Sequence, residues 1–273
     1  MKLKKTLAAA AACAVLFLTA ACSAGTDAGV LFREAKMGAE QMKSCSASMK
    51  STLVFTANGT RHEFLSSSAM TYTADPFALK AVQSSQNDGQ KSSSETYTVT
   101  ENGGLWFYGK NADGWQKTSA AGLDTSPLQQ IDVLTLLQYV KDEKYVRETT
   151  LNSRKVHKIE LKMDSGALRS TIENIVTASG MAGDSKTIVQ TLLNSAPPVY
   201  GYGYIDTDSD RLVRIELDTS QILDQVFQNI DGSSVTIHVT KSIISGDISN
   251  IGRAPAVALP EDAKAASSVQ ACG

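Results

Sequence analysis

The chain has 273 residues, 42% of them hydrophobic and 20% charged, with a formal net charge of -2. It carries no basic arm, no Lys/Arg stripe and no alternation of aromatic with basic residues, which argues against nucleic acid as a partner. The roughly 250 residues left after the N-terminal segment suit one large or two small domains, with a sizeable core.

The first segment reads as a secretory signal. Lys2, Lys4 and Lys5 precede an apolar run from Leu7 to Leu18, and small residues lead up to Cys22. The run is short of the roughly 20 residues that a spanning helix needs. Cysteine directly after Ala20 and Ala21 is the layout of a bacterial lipoprotein cleavage site, although Thr19 stands where a leucine is commonest. The expectation is a signal over residues 1–21, lipidation at Cys22 and a tether over 22–29. A plain secretory signal cut near Ala21 is the alternative. Two or three acyl chains on one cysteine, at about 0.8 kcal/mol per buried CH₂, give stable anchoring. Loss of the three signal lysines takes the formal charge to near -5.

Cys13 lies in the signal, so Cys45 and Cys272 remain. A disulfide between them would close nearly the whole chain and contribute about 4–5 kcal/mol in the chain-entropy model. The alternative is a buried free thiol at Cys45 and an incidental one in the tail.

From Val30, the spacing of Leu31, Ala35, Gly38 and Met42 predicts an amphipathic helix ending near Lys43. The period then switches to two: Cys45, Ala47, Met49, Leu53, Phe55 and Ala57 alternate with polar residues in a half-buried strand. Asn58-Gly59 signals a hairpin into Thr60–Thr73. Asp75-Pro76 interrupts, and Phe77, Leu79 and Ala81 alternate again. The polar tract Ser84–Ser94, with Asn87-Asp88-Gly89, reads as a long turn. Strands at 96–101, 105–108 and 115–119 complete a meander.

Ser126-Pro127 starts a helix carrying Leu128, Ile131, Leu134 and Leu137. Strands are expected at 145–150 and 155–164, the latter with His157, Ile159, Leu161 and Met163 on one face. Ser165 is a candidate cap for a helix with Leu168, Ile172 and Ile175, and Asp184 or Ser185 for one with Ile188 and Leu192. Sheet returns at 199–206 and 211–218. A short helix with Ile222, Val226 and Ile230 follows, then strands at 235–240 and through Ile244. Residues 263–273 read as a tail.

The order of elements implies one antiparallel sheet with helices on a single face, an α+β fold over residues 30–262. The lipobox, the strand "SCSASMKSTLVF", the hairpins "GGLWFYGKNADGWQK" and "GYIDTDSDRLVRIELD", and "LPEDA" together resemble lipoproteins of the LolA/LolB-like superfamily. The likeness is nearest to Gram-positive lipoproteins and the mycobacterial LppX/LprG type. It implies a curved antiparallel sheet forming an unclosed half-barrel, helices packed on its concave face, and acyl chains held between the layers.

Apolar strand and helix faces supply the cavity candidates: Met49, Leu53, Phe55, Leu79, Leu134, Leu137, Ile159, Leu161, Val213, Ile215 and Ile237. The same pattern also describes a close-packed core. Asp206, Asp208 and Asp210 imitate the start of a calcium loop but lack its glycine and its closing glutamate, and so read as a hairpin turn. His62, His157 and His238 lack metal-ligand spacing. No nucleophile, phosphate-loop or zinc-protease motif occurs, so no catalytic residue, metal or cofactor is expected. Tyr200, Tyr202 and Tyr204 alternate with Gly201 and Gly203; the tyrosines either grip a partner or stack as a ladder, and the glycines admit a close neighbour.

The leading expectation is a non-enzymatic lipoprotein, lipid-anchored on the outer side of the cell membrane, that binds a lipid or another apolar small molecule. The alternative is an envelope adhesion, sensory or assembly module with a protein partner and no open cavity.

Overall fold

The computed structural model describes residues 27–112, 114–179, 184–228 and 235–266. Cys22 and Cys272 lie outside them. The chain builds α1 (Ala28–Glu40), then the meander β1 (Ser44–Ala57), β2 (Thr60–Ala74), β3 (Phe77–Asn87), β4 (Gln90–Glu101), β5 (Gly104–Asn111) and β6 (Gly114–Ser119). Next come α2 (Pro127–Gln130), α3 (Asp132–Thr135), a 3-10 turn, β7 (Val140–Leu151) and β8 (Arg154–Met163). A second 3-10 turn leads to α4 (Arg169–Ser179), α5 (Ser185–Ser195), β9 (Val199–Asp206) and β10 (Leu212–Asp218). The chain ends with α6 (Ser220–Gln228), β11 (Ile237–Ser249) and α7 (Glu261–Lys264).

The eleven strands of the described residues form one open, curved antiparallel sheet in the order β6-β5-β4-β3-β2-β1-β11-β10-β9-β8-β7. The pairing of β1 with β11 joins the N-terminal meander to the later strands at the centre. The segment carrying α2 and α3 connects β6 to β7, and so runs from one edge of the sheet to the other.

Tight turns follow from local chemistry. Asn58-Gly59, Asp88-Gly89 and Asn102-Gly103 each put two consecutive residues at positive φ, the conformation of a two-residue type I′ hairpin. Helix starts are capped by carboxylates: the Asp27 side chain accepts from the Gly29 and Val30 amides, and that of Asp184 from the Thr187 amide.

Period-two alternation sorts β1. Cys45, Ala47, Leu53, Phe55 and Ala57 are buried on the face that also carries Gly246 and Ile248 of β11. We call this the inner face. Val133 of α3 sits against Gly246, and α1, α4 and α6 pack on the strands of the same side. One core cluster joins Phe32, Phe55, Leu134, Ile159, Leu161, Ile172, Ile215 and Leu223 between the layers. Full burial of each such side chain contributes about 1.5–3 kcal/mol.

A second, smaller cluster lies on the outer face. Tyr97, Val99 and Tyr108 are buried there beneath the C-terminal segment, with Val257, Leu259 and the fully buried Ala263 of α7.

Two local expectations are corrected. The tract Ser84–Ser94 is not a long turn but the facing halves of β3 and β4, joined by Asp88-Gly89 alone. Its polarity reflects exposure, not irregular backbone. The helix expected from Pro127 through Leu137 is broken at Ile131, which adopts extended backbone. Ile131, Val133, Leu134, Leu136 and Leu137 are all buried. That set is too wide for the single stripe of a straight helix, and the break turns each residue toward the sheet. Asp164 rather than Ser165 is the cap that accepts a bond, from the Gly166 amide.

Candidate functional site

The register of β1–β4 sets three rungs side by side on the inner face: Met49–Ser68–Gln83–Ser94, then Ser51–Ser66–Ser85–Ser92, then Leu53–Phe64–Asn87–Gln90. Strand alternation alone makes these residues neighbours. The result is a wall that is apolar at β1 and covered with hydroxyl and amide groups toward β4.

Two adjoining clefts open over this wall. The larger, about 360 Å³, is lined by Met49, Ser66, Ser68, Gln83, Ser94 and Asp132, among others. The smaller, about 190 Å³, lies over Ser51, Leu53, Phe64 and Asn87, with Thr171 and Asn174 of α4 beside them. Ser66 and Ser85 belong to both. Helix α3 thus bounds one end of a continuous groove and α4 the other.

Among the described residues Asp132 is the only ionisable one lining either cleft. Ser68 Oγ donates to Asp132 Oδ2 at 2.9 Å. Burial raises the Asp132 carboxyl above its ordinary value, and the Ser68 hydroxyl pulls partly the other way. Lys50 and Lys91 stand at the alternate positions of β1 and β4, on the outer face, and border a neighbouring hollow that shares Ser66, Ser67, Ser84, Ser85, Ser92 and Ser93 with the larger cleft.

The apolar residues expected to line a cavity gather as one set, with an uneven relation to the groove. Phe55, Leu79, Leu134, Leu137, Ile159, Leu161, Ile215 and Ile237 are buried in the main core. Leu53 is buried there and also borders the smaller cleft, while Met49 packs against the core and borders the larger. Val213 is half-buried on β10. The hydroxyl and amide wall and Asp132 are the part that pattern reading missed. The available signal was serine at matching registers on four successive strands.

Cys45 is fully buried and has no disulfide partner among the described residues, and burial pushes its thiol pKa up to about 12. Its pairing with Cys272 falls outside the described residues. Asp206 builds the β9–β10 turn: its Oδ1 accepts from the Asp208 amide, the Ser209 amide and the Ser209 hydroxyl. The three histidines stand apart. His62 Nδ1 lies 2.8 Å from Asp88 Oδ2, His157 packs beside Tyr145, and His238 lies near Asp224. Among the described residues no group of His, Cys, Asp and Glu is arranged to hold a metal.

The tyrosine–glycine strand divides by face. Tyr200 and Tyr202 are exposed on the outer face, where Lys158 Nζ lies 3.6 Å from the Tyr202 ring centroid. Tyr204 is buried and donates to Glu216 at 2.6 Å. A Cβ on Gly201 would come within 2.2 Å of Leu217, and one on Gly203 within 3.2 Å of Ile159 and Leu161. The close neighbours that these glycines admit are therefore side chains of adjacent strands.

An open antiparallel sheet with helices on one face and a groove between the layers defines an α+β protein of the open curved-sheet class. The chain belongs to the family described as a family of unknown function, DUF6612, whose model matches residues 27–195. No curated protein matches it. Similar solved structures include LprF from Mycobacterium bovis, 13% identical with a TM-score of 0.45, covering 85% of this chain and 95% of that one. The lipoprotein LppX of Mycobacterium tuberculosis is 14% identical with a TM-score of 0.44, covering 84% and 98%. A LolA superfamily protein from Nitrosomonas europaea is 12% identical with a TM-score of 0.19, covering 86% and 95%. Among the described residues no helix is long and apolar enough to cross a membrane.

Proposed function

We propose that the chain is a non-enzymatic binding protein, held on the outer side of the cell membrane by lipid on Cys22, that takes a lipid or another ligand with an apolar portion into the groove over β1–β4. One observation carries this reading: the groove lies between the sheet and the ends formed by α3 and α4, with Met49, Leu53 and Phe64 on its apolar side. Concave sites with an apolar floor and a few polar groups are the usual form of small-ligand pockets. The apolar portion would lie against Leu53 of β1 and Phe64 of β2, and the polar portion against the serines of β2–β4. Residues 1–21 are read as the signal, 22–29 as the tether and 30–262 as the folded domain; the burial of Ala28 and Ala263 supports packing that reaches from α1 to α7.

Mass spectrometry of organic extracts from the membrane-purified chain tests the ligand. A stoichiometric amphiphile is expected, lost when Leu53 and Phe64 are both replaced by polar residues in a chain that still melts cooperatively. A chain that never carries such a molecule and binds no acyl probe would sink the reading. Labelled palmitate incorporation, abolished by Cys22→Ser, tests the anchor.

The exposure of Tyr200, Tyr202 and Ile243 on the outer face favours a second reading, a protein-binding module of the envelope. Cross-linking from position 202 to one reproducible partner protein, in a chain with no bound amphiphile, would favour it.

A further inference from the structure

We propose that the groove is selective for an ammonium group, which sits between Asp132 and the hydroxyl wall of β2–β4. The proposal rests on the binding reading above and names the chemistry of the ligand's polar end.

The argument is one of charge and donor balance. Asp132 Oδ2 accepts from Ser68, whereas Oδ1 accepts no hydrogen bond among the described residues. Among the described residues neither cleft is lined by a lysine, an arginine or a histidine. Lys50 of β1 and Lys91 of β4 border the neighbouring hollow, from positions that alternate to the outer face. A carboxylate half withdrawn from water with no cation opposite it carries a cost, and the raised proton affinity of the half-buried Asp132 is in line with it. A ligand cation removes it.

The rest of the wall fits the same group. An ammonium has three donors and no acceptor. Serine hydroxyl oxygens at positions 66, 68 and 94 and the Gln83 amide oxygen can each accept, and a hydroxyl can rotate to present a lone pair. A phosphate, sulfate or carboxylate would meet Asp132 as a like charge with no compensating base. The groove therefore selects against the anionic headgroups that a basic pocket would favour. An uncharged polyol would satisfy the serines but leave the carboxylate unopposed.

Calorimetric titration distinguishes the possibilities. The full lipidated chain is carried in nanodiscs in an amine-free buffer, with empty nanodiscs as blank, and receives hexylammonium, hexanol, hexanoate and methylammonium in turn. Hexylammonium should bind about tenfold more tightly than hexanol, the scale of one charge-assisted hydrogen bond, and hexanoate should not bind measurably. Asp132→Asn, which keeps the side-chain shape, should bring hexylammonium and hexanol within about threefold of each other. Asp208→Asn, a charge loss at the β9–β10 turn, should change nothing. Equal binding of the three six-carbon probes, or selectivity that survives Asp132→Asn, would overturn the ammonium assignment while leaving the apolar-ligand reading intact. Methylammonium binding as tightly as hexylammonium would support the assignment, identify a free amine as its source and overturn the apolar-ligand reading. Failure of every probe would overturn both.

Discussion

Val133 of α3 occupies the space above Gly246 of β11: a Cβ at position 246 would fall 2.4 Å from Val133 Cγ2 and 2.7 Å from its Cβ. Helix α3 is seated on the sheet by this missing side chain, and Asp132, the preceding residue, takes its position from that seat. Gly246→Ala should destabilise the fold by about 1–3 kcal/mol through overpacking. Pairing it with Val133→Ala should recover part of the loss, a coupling that denaturant titration of the four cycle members measures directly.

Asp132 should cost stability at neutral pH. The folded state holds its proton more tightly than the unfolded chain, whose carboxyl titrates near 3.8. Stability from this group is fully present below that value and is lost as the pH rises through the raised folded value. Asp132→Asn should therefore raise the melting temperature by a few degrees at pH 7 and leave it nearly unchanged at pH 3. A gain of equal size at both would remove desolvation as the cause.

Cys45 should resist thiol reagents. It has no solvent exposure, and burial pushes its pKa from 9.0 to about 12. At pH 8 the native chain should show no labelling of the peptide containing Cys45, followed by rapid labelling once denaturant unfolds it. The same shift makes the folded state lose stability as the pH rises above 9.0. The alkaline side of a stability–pH profile should flatten in Cys45→Ala.

Asp206 acts as a turn residue. Asp206→Ala removes an acceptor used by two amides and one hydroxyl, and should cost about 1–2 kcal/mol. Added calcium should leave the melting temperature of the parent chain unchanged. A calcium-dependent increase that disappears with Asp206→Ala would show a metal loop instead.

The fold was readable in the sequence wherever apolar period and turn chemistry agreed. Strand β9 runs from Val199 to Asp206, as expected, because Pro197-Pro198 stops the helix before it and the acidic turn closes it. Asn58-Gly59 likewise gives its hairpin. The groove was harder to read because its wall is built of residues without an apolar signature. Ser85 and Ser92 carry no periodic hydrophobic signal, and only register brings their hydroxyl oxygens to 2.7 Å. Asp132 was hidden for a different reason. It lies inside a run of helical spacing, and the break at Ile131 that turns the chain is a response to packing on the sheet, which local spacing does not encode.

The C-terminal segment beneath Tyr97, Val99 and Tyr108 gives the far limb of the sheet its apolar support from outside. The serine-bearing strand β4 is thus braced from behind: residues 257–263, which line neither cleft among the described residues, back the strand that offers Ser92 and Ser94 to the groove.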